Sequence, residues 1–89
     1  MREYRDEFMI IVDVLNYIKH NKDNNAGITR IMYASRLTHA RTKEIIQILY
    51  SNGLVDYSID TYGQPSYVLT DRGMHFRNLA IDALEMLSS

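Results

Sequence analysis

Apolar positions near the start of the chain fall on two helical spacings at once. Tyr4, Phe8, Ile11, Leu15 and Ile18 recur at steps of four and three, which predicts a helix over residues 3–20 with that face in the core. Ile10, Val14 and Tyr17 project from roughly the opposite side of the same helix, and one core does not easily cover both sets. Residues 21–27 are polar, hold Asn, Asp and Gly, and read as a loop. Ile28 is expected to form a short strand, and Thr29 to cap a helix through Arg36 with Ile31, Met32 and Leu37 or Ala34 inward. Thr38 is expected to cap a third helix, 38–52, whose inward positions are Thr42, Ile45, Ile46 and Leu49. Gly53 followed by Leu54 supplies a left-handed stop with its hydrophobic contact. Two helices separated by three or four residues make the arrangement of a helix-turn-helix.

After Gly53 the period changes to two. Val55, Tyr57 and Ile59 alternate with Asp56, Ser58 and Asp60, marking a half-buried strand over 54–60, and a second strand is expected over 66–69. Residues 61–65, Thr-Tyr-Gly-Gln-Pro, form a compact turn, so the strands should pair as an antiparallel hairpin, or wing. Thr70 and Asp71 open a last helix in which Phe76, Leu79, Ala83 and Met86 follow at three-four-three spacing, widened by Leu84 and Leu87. The fold class is therefore α+β, mainly α. Residues 1–89 are expected to form one domain, with 71–89 as a C-terminal helix.

Charge changes this picture more than composition does. The 89 residues carry a formal net charge of −1, which argues against a uniformly basic surface. Yet residues 24–43 contain Arg30, Arg36, Arg41 and Lys43 and no acid, so four of the ten basic groups and none of the eleven acidic ones lie there. Such a patch attracts phosphate even at near-zero total charge, because screening confines each field to roughly 8–10 Å. Without cysteine the chain has neither disulfides nor thiolate metal sites, and a cytoplasmic, nucleoid-associated location is the simpler expectation. No signal peptide or membrane anchor is visible, and no apolar run approaches the ~20 residues that span a bilayer.

The run Thr29-Arg30-Ile31-Met32-Tyr33-Ala34, then Leu37-Thr38, Gly53-Leu54-Val55 and Tyr67-Val68-Leu69-Thr70-Asp71-Arg72-Gly73 resembles archaeal winged-helix transcription regulators across nearly the whole chain. The resemblance implies a winged-helix DNA-binding protein in which the last phrase closes the wing and opens a C-terminal helix that pairs two subunits. Two departures stand out. The third helix has Thr42 where a larger apolar residue is common, and the wing tip lacks Lys or Arg.

In a helix-turn-helix the second helix enters the major groove, which makes helix 38–52 the reader. With its inward positions fixed, Ala40, Lys43, Glu44 and Gln47 face outward and Arg41 sits on the flank. Lys43 and Arg41 suit phosphate or guanine, Gln47 suits adenine, Ala40 suits a thymine methyl, and Thr38 and His39 at the helix start suit phosphate. Arg30 and Arg36 flank as backbone clamps, and Tyr62 and Gln64 at the wing tip reach toward a groove edge. A solvated helix face gives the same cluster, so DNA contact rests on its placement. His20, His39 and His75 lie on separate elements without ligand spacing, so no metal is expected. No nucleophile, base and orienting group assemble, and no phosphate loop is present, so neither an enzyme, a cofactor nor a small-molecule ligand is expected.

The two-sided first helix and the apolar last helix predict a homodimer interface of Ile10, Val14, Tyr17, Phe76, Leu79, Ala83, Met86 and Leu87. The alternative for the last helix is to complete the core of its own chain. The competing function is a protein-interaction module of transcription or chromatin machinery that uses the seven tyrosines.

Overall fold

In the computed structural model, residues 6–21 and 26–88 are described. The elements run α1 (Glu7–His20), α2 (Ile28–Ser35), α3 (His39–Ser51), β1 (Val55–Ile59), β2 (Pro65–Leu69) and α4 (Asp71–Ser88). This is a mainly helical α+β winged helix with a hairpin wing and a C-terminal helix.

The helix expected from residue 3 starts at Glu7, because Asp6 is extended and its Oδ1 accepts the Met9 amide at 2.8 Å. Tyr4 lies outside the described residues. α1 packs against α2, α4 and β2, so it is enclosed on more than one side. Ile10, Val14, Leu15 and Ile18 are fully buried and Val12 nearly so. This corrects the two-face reading: Ile10 and Val14 belong to the chain's own core and offer no surface to a second subunit. Tyr17 is half-buried against that core, and Phe76 likewise, its ring meeting Phe8 edge-on at 6.3 Å between centroids. Phe8, expected inward, keeps 42% of its surface exposed despite that contact. Arg77 ties α4 to α1 through two hydrogen bonds, Nε at 3.0 Å and Nη2 at 2.7 Å from Asn16 Oδ1.

Ile28 forms no strand but opens α2, whose N-cap is Gly27 and not Thr29. Among the described residues the sheet has two strands, and the short-strand role falls to Ala26, whose carbonyl accepts the Tyr67 amide at 3.0 Å. Ile31 and Ser35 are the buried positions of α2; Met32 and Leu37 are half-buried, and Ala34 is exposed. The turn into α3 is closed by Arg36 at φ 58°: its amide reaches Tyr33 O at 3.3 Å, and the Leu37 amide reaches Met32 O at 3.1 Å. That is the hydrogen-bond pattern of a left-handed helix stop, held here by a residue with a Cβ.

α3 matches its sequence reading closely. Thr38 Oγ1 accepts the Arg41 amide at 3.1 Å, and Thr42, Ile45, Ile46 and Leu49 are buried. The Thr42 hydroxyl donates to Thr38 O at 2.8 Å, which satisfies a polar group in the position where an apolar residue is common. Gly53, at φ 71°, stops the helix, with Leu54 N bonded to Leu49 O at 2.9 Å.

β1 and β2 pair antiparallel with Tyr57 opposite Tyr67 and Ile59 opposite Pro65. Thr70 knits the end of the wing to the base of α3: its hydroxyl lies 2.6 Å from Gly53 O and accepts the Gly73 amide at 2.9 Å. Gly73 is buried directly against Leu54, where a Cβ would overlap the Leu54 carbonyl oxygen. The glycine of the Thr-x-x-Gly phrase is thus required by close approach of two backbones.

Candidate nucleic-acid interface

The outer surface of α3 is the strip left by its inward set. Ala40, Lys43, Glu44 and Gln47 are all exposed, as the 3.6-residue period predicts. On one side of this strip stands the wing, and on the other lie α1 and α4.

Between α3 and the wing the surface opens into a cleft of about 490 Å³. Arg30 from α2, His39 and Lys43 from α3, and Tyr62 and Gln64 from the wing tip all line it. Five of the sequence-predicted contact residues, drawn from three separate stretches of the chain between residues 30 and 64, therefore face one hollow. The start of α2 at Gly27, which has no side-chain cap, lines the same hollow. First-turn amides of a helix and two cations make a surface suited to phosphate. Asp60 also borders the cleft, but its Oδ1 accepts the Tyr62 and Gln64 amides, both at 2.9 Å, so that carboxylate holds the wing tip in shape. Tyr62 is 85% exposed.

The remaining predicted residues are placed elsewhere. Arg36 is exposed at the turn before α3. Thr38 is exposed, and its hydroxyl oxygen serves as the helix cap. Gln47 donates one turn onward to Ser51 Oγ at 3.0 Å. Arg41 turns toward α1, with Nη2 3.4 Å from Glu7 Oε1 and Nη1 3.8 Å from Glu44 Oε1. No spacing rule links Glu7 to Arg41, so this pair was invisible in the sequence.

Sequence reasoning also missed a second cleft of about 420 Å³ farther along α3, where Tyr50 joins Tyr57 and Tyr67 of the wing. Its signal was present: Tyr57 belongs to the alternating set of β1 that faces α3. Burial pushes the Tyr67 phenol above its ordinary pKa of 10.0, and the nearby Tyr57 adds to the effect.

A winged helix-turn-helix family model matches residues 4–88. The chain belongs to the winged helix-turn-helix family. No curated protein matches it in sequence. Among solved structures, it is similar to MepR, a transcription regulator of the Staphylococcus aureus multidrug efflux pump MepA, with a TM-score of 0.81 at 14% identity. The match covers 89% of this chain and 58% of MepR, so the winged helix spans little more than half of that regulator. The S. aureus MepR–DNA complex gives a TM-score of 0.78 at 14% identity, covering 88% of this chain and 57% of that one. Sso10a-2, a DNA-binding protein from Sulfolobus solfataricus, gives 0.78 at 19% identity over 94% of this winged helix and 83% of its own chain. These likenesses are likenesses of fold. Among the described residues, no group of three His, Cys, Asp or Glu is arranged to hold a metal ion, and no helix is long and apolar enough to cross a membrane.

Proposed function

We propose that the protein is a homodimeric double-stranded DNA-binding protein of archaeal transcription-regulator type that inserts α3 into the major groove. The observation that carries this reading is the cleft that gathers Arg30, His39 and Lys43 beside Tyr62 and Gln64. Ala40 and Gln47 on the outer strip meet base edges, while Arg30, Arg36, Lys43 and the start of α2 hold the phosphates on either side. Arg41 joins them once it leaves Glu7. DNA binding by Sso10a-2 and by MepR, which share the fold, supports the same reading.

The dimer rests on α4. Leu79, Met86 and Leu87 are 57%, 78% and 84% exposed, and Ala83 is exposed between them. An apolar stripe of this length on a soluble surface marks an interface, and a second copy of α4 is its simplest cover. A two-fold pair then presents two copies of α3 to half-sites about one helical turn apart.

The test is the salt dependence of duplex affinity for the wild type and for Arg30→Ala/Lys43→Ala. Loss of two phosphate contacts lowers the slope of log K against log salt by about two units. An unchanged slope removes these residues from the interface.

A further inference from the structure

Three of the seven tyrosines meet on the wing-facing side of α3: Tyr50 from α3, Tyr57 from β1 and Tyr67 from β2. Their ring centroids lie 5.7 Å apart from Tyr50 to Tyr57 and 5.9 Å from Tyr57 to Tyr67, tilted by 53° and 52°. Tyr67 seats the hairpin and is half-buried, but Tyr50 and Tyr57 keep 47% and 46% of their surfaces in solvent, and Ile59 beside them is 60% exposed. Packing the hairpin onto α3 does not account for so much aromatic surface left open.

This aromatic hollow is continuous with the basic cleft. Pro65 lines both, and Lys43 of the basic cleft and Gln47 of the aromatic one are four residues apart on α3. One trough therefore carries Arg30, His39 and Lys43 at one end and half-exposed tyrosine rings at the other. Cations and aromatic faces in a single groove are the two components that single strands require: charge for the backbone and rings for unstacked bases. A duplex uses the cations but keeps its bases stacked on one another, out of reach of the rings. An apolar peptide uses the rings but leaves the cations without a partner.

We propose that the trough between α3 and the wing binds a single strand of nucleic acid, with phosphates at Arg30 and Lys43 and bases stacked on Tyr50 and Tyr57. This activity goes beyond the duplex reading and shares only the cations with it.

The experiment is fluorescence anisotropy of the full chain with labelled oligo(dT) and oligo(rU) of about 12 nucleotides, within the usual range of single-strand sites. A labelled duplex is titrated in parallel, and the variants are Tyr50→Leu, Tyr57→Leu and Tyr57→Phe. Either Leu substitution is expected to weaken single-strand binding roughly tenfold, as loss of one stacked base does. Tyr57→Phe retains it, and duplex affinity is the same in all three. Tyr50 lies on the surface of α3, so its variant reads out stacking even if Tyr57→Leu disturbs the hairpin. Binding to either oligonucleotide supports the proposal and identifies the sugar it accepts. Wild-type protein that ignores both single strands overturns it, as do Leu variants that bind like wild type, or a Phe variant that loses as much as Leu. Single-strand binding without duplex binding upholds this proposal while removing the function proposed above.

Discussion

Arg41 reaches from α3 to Glu7 on α1, 3.4 Å between guanidinium and carboxylate, and stands 3.8 Å from Glu44 on its own helix. The strongest charge donor at the start of α3 is thus held by two acids before any phosphate arrives. Both carboxylates are more than half exposed, so the pairs are weak and screened by salt. Glu7→Gln is expected to tighten duplex binding roughly two- to fivefold at low salt, the scale of an exposed ion pair, with the gain fading at high salt. Anisotropy titrations at two salt concentrations check this, and equal affinities at both mean that Arg41 plays no part.

Arg36 holds a left-handed conformation, φ 58°, in the turn of the helix-turn-helix. A residue with a Cβ is disfavoured there by about 1 kcal/mol relative to glycine. Arg36→Gly should therefore stabilise the fold by about that amount in urea denaturation, and at the same time reduce the salt slope of duplex binding by about one unit. A more stable variant with unchanged DNA binding would assign Arg36 no contact.

Gly73 tests the packing of α4 on the wing base. An added Cβ meets the Leu54 carbonyl, a backbone atom that cannot swing aside. Gly73→Ala is expected to destabilise the protein by roughly 3 kcal/mol, at the upper end of overpacking effects, despite alanine's higher helix propensity. Denaturant midpoints of the two proteins decide it.

Much of this architecture was legible in the chain. The 3.6-residue period fixed α3 because Thr38 and Gly53 bracket it with side-chain and backbone signals that act locally. The start of α2 was misread because Gly27 caps it without a side chain, and Thr29, a good cap by residue type, sits inside the helix. The strand expected at Ile28 is reduced to one hydrogen bond at Ala26, which no periodicity records. α1 was misread for a different reason: the residues it buries were recognised as apolar, but their spacing does not tell that α2, α4 and β2 all pack around the helix. At the interface the individual cations were legible by type and position. Their partners were not, since Glu7 and Arg41 are brought together by tertiary packing alone.

The account of α4 makes its own demand. Leu79 and Leu87 are exposed on a helix whose inner side already packs on α1. Leu79→Glu/Leu87→Glu should leave the fold intact and convert a dimer to a monomer in sedimentation equilibrium. A wild type that is already monomeric at micromolar concentrations contradicts the proposed assembly.

Chemical-shift mapping of the 15N-labelled protein with a short mixed-sequence duplex tests the central claim most directly. The account predicts that amides of residues 27–30, 39–47 and 62–64 shift together, marking the cleft and the outer strip of α3 as one surface. Shifts confined to α4, or none on saturation with duplex, would contradict it.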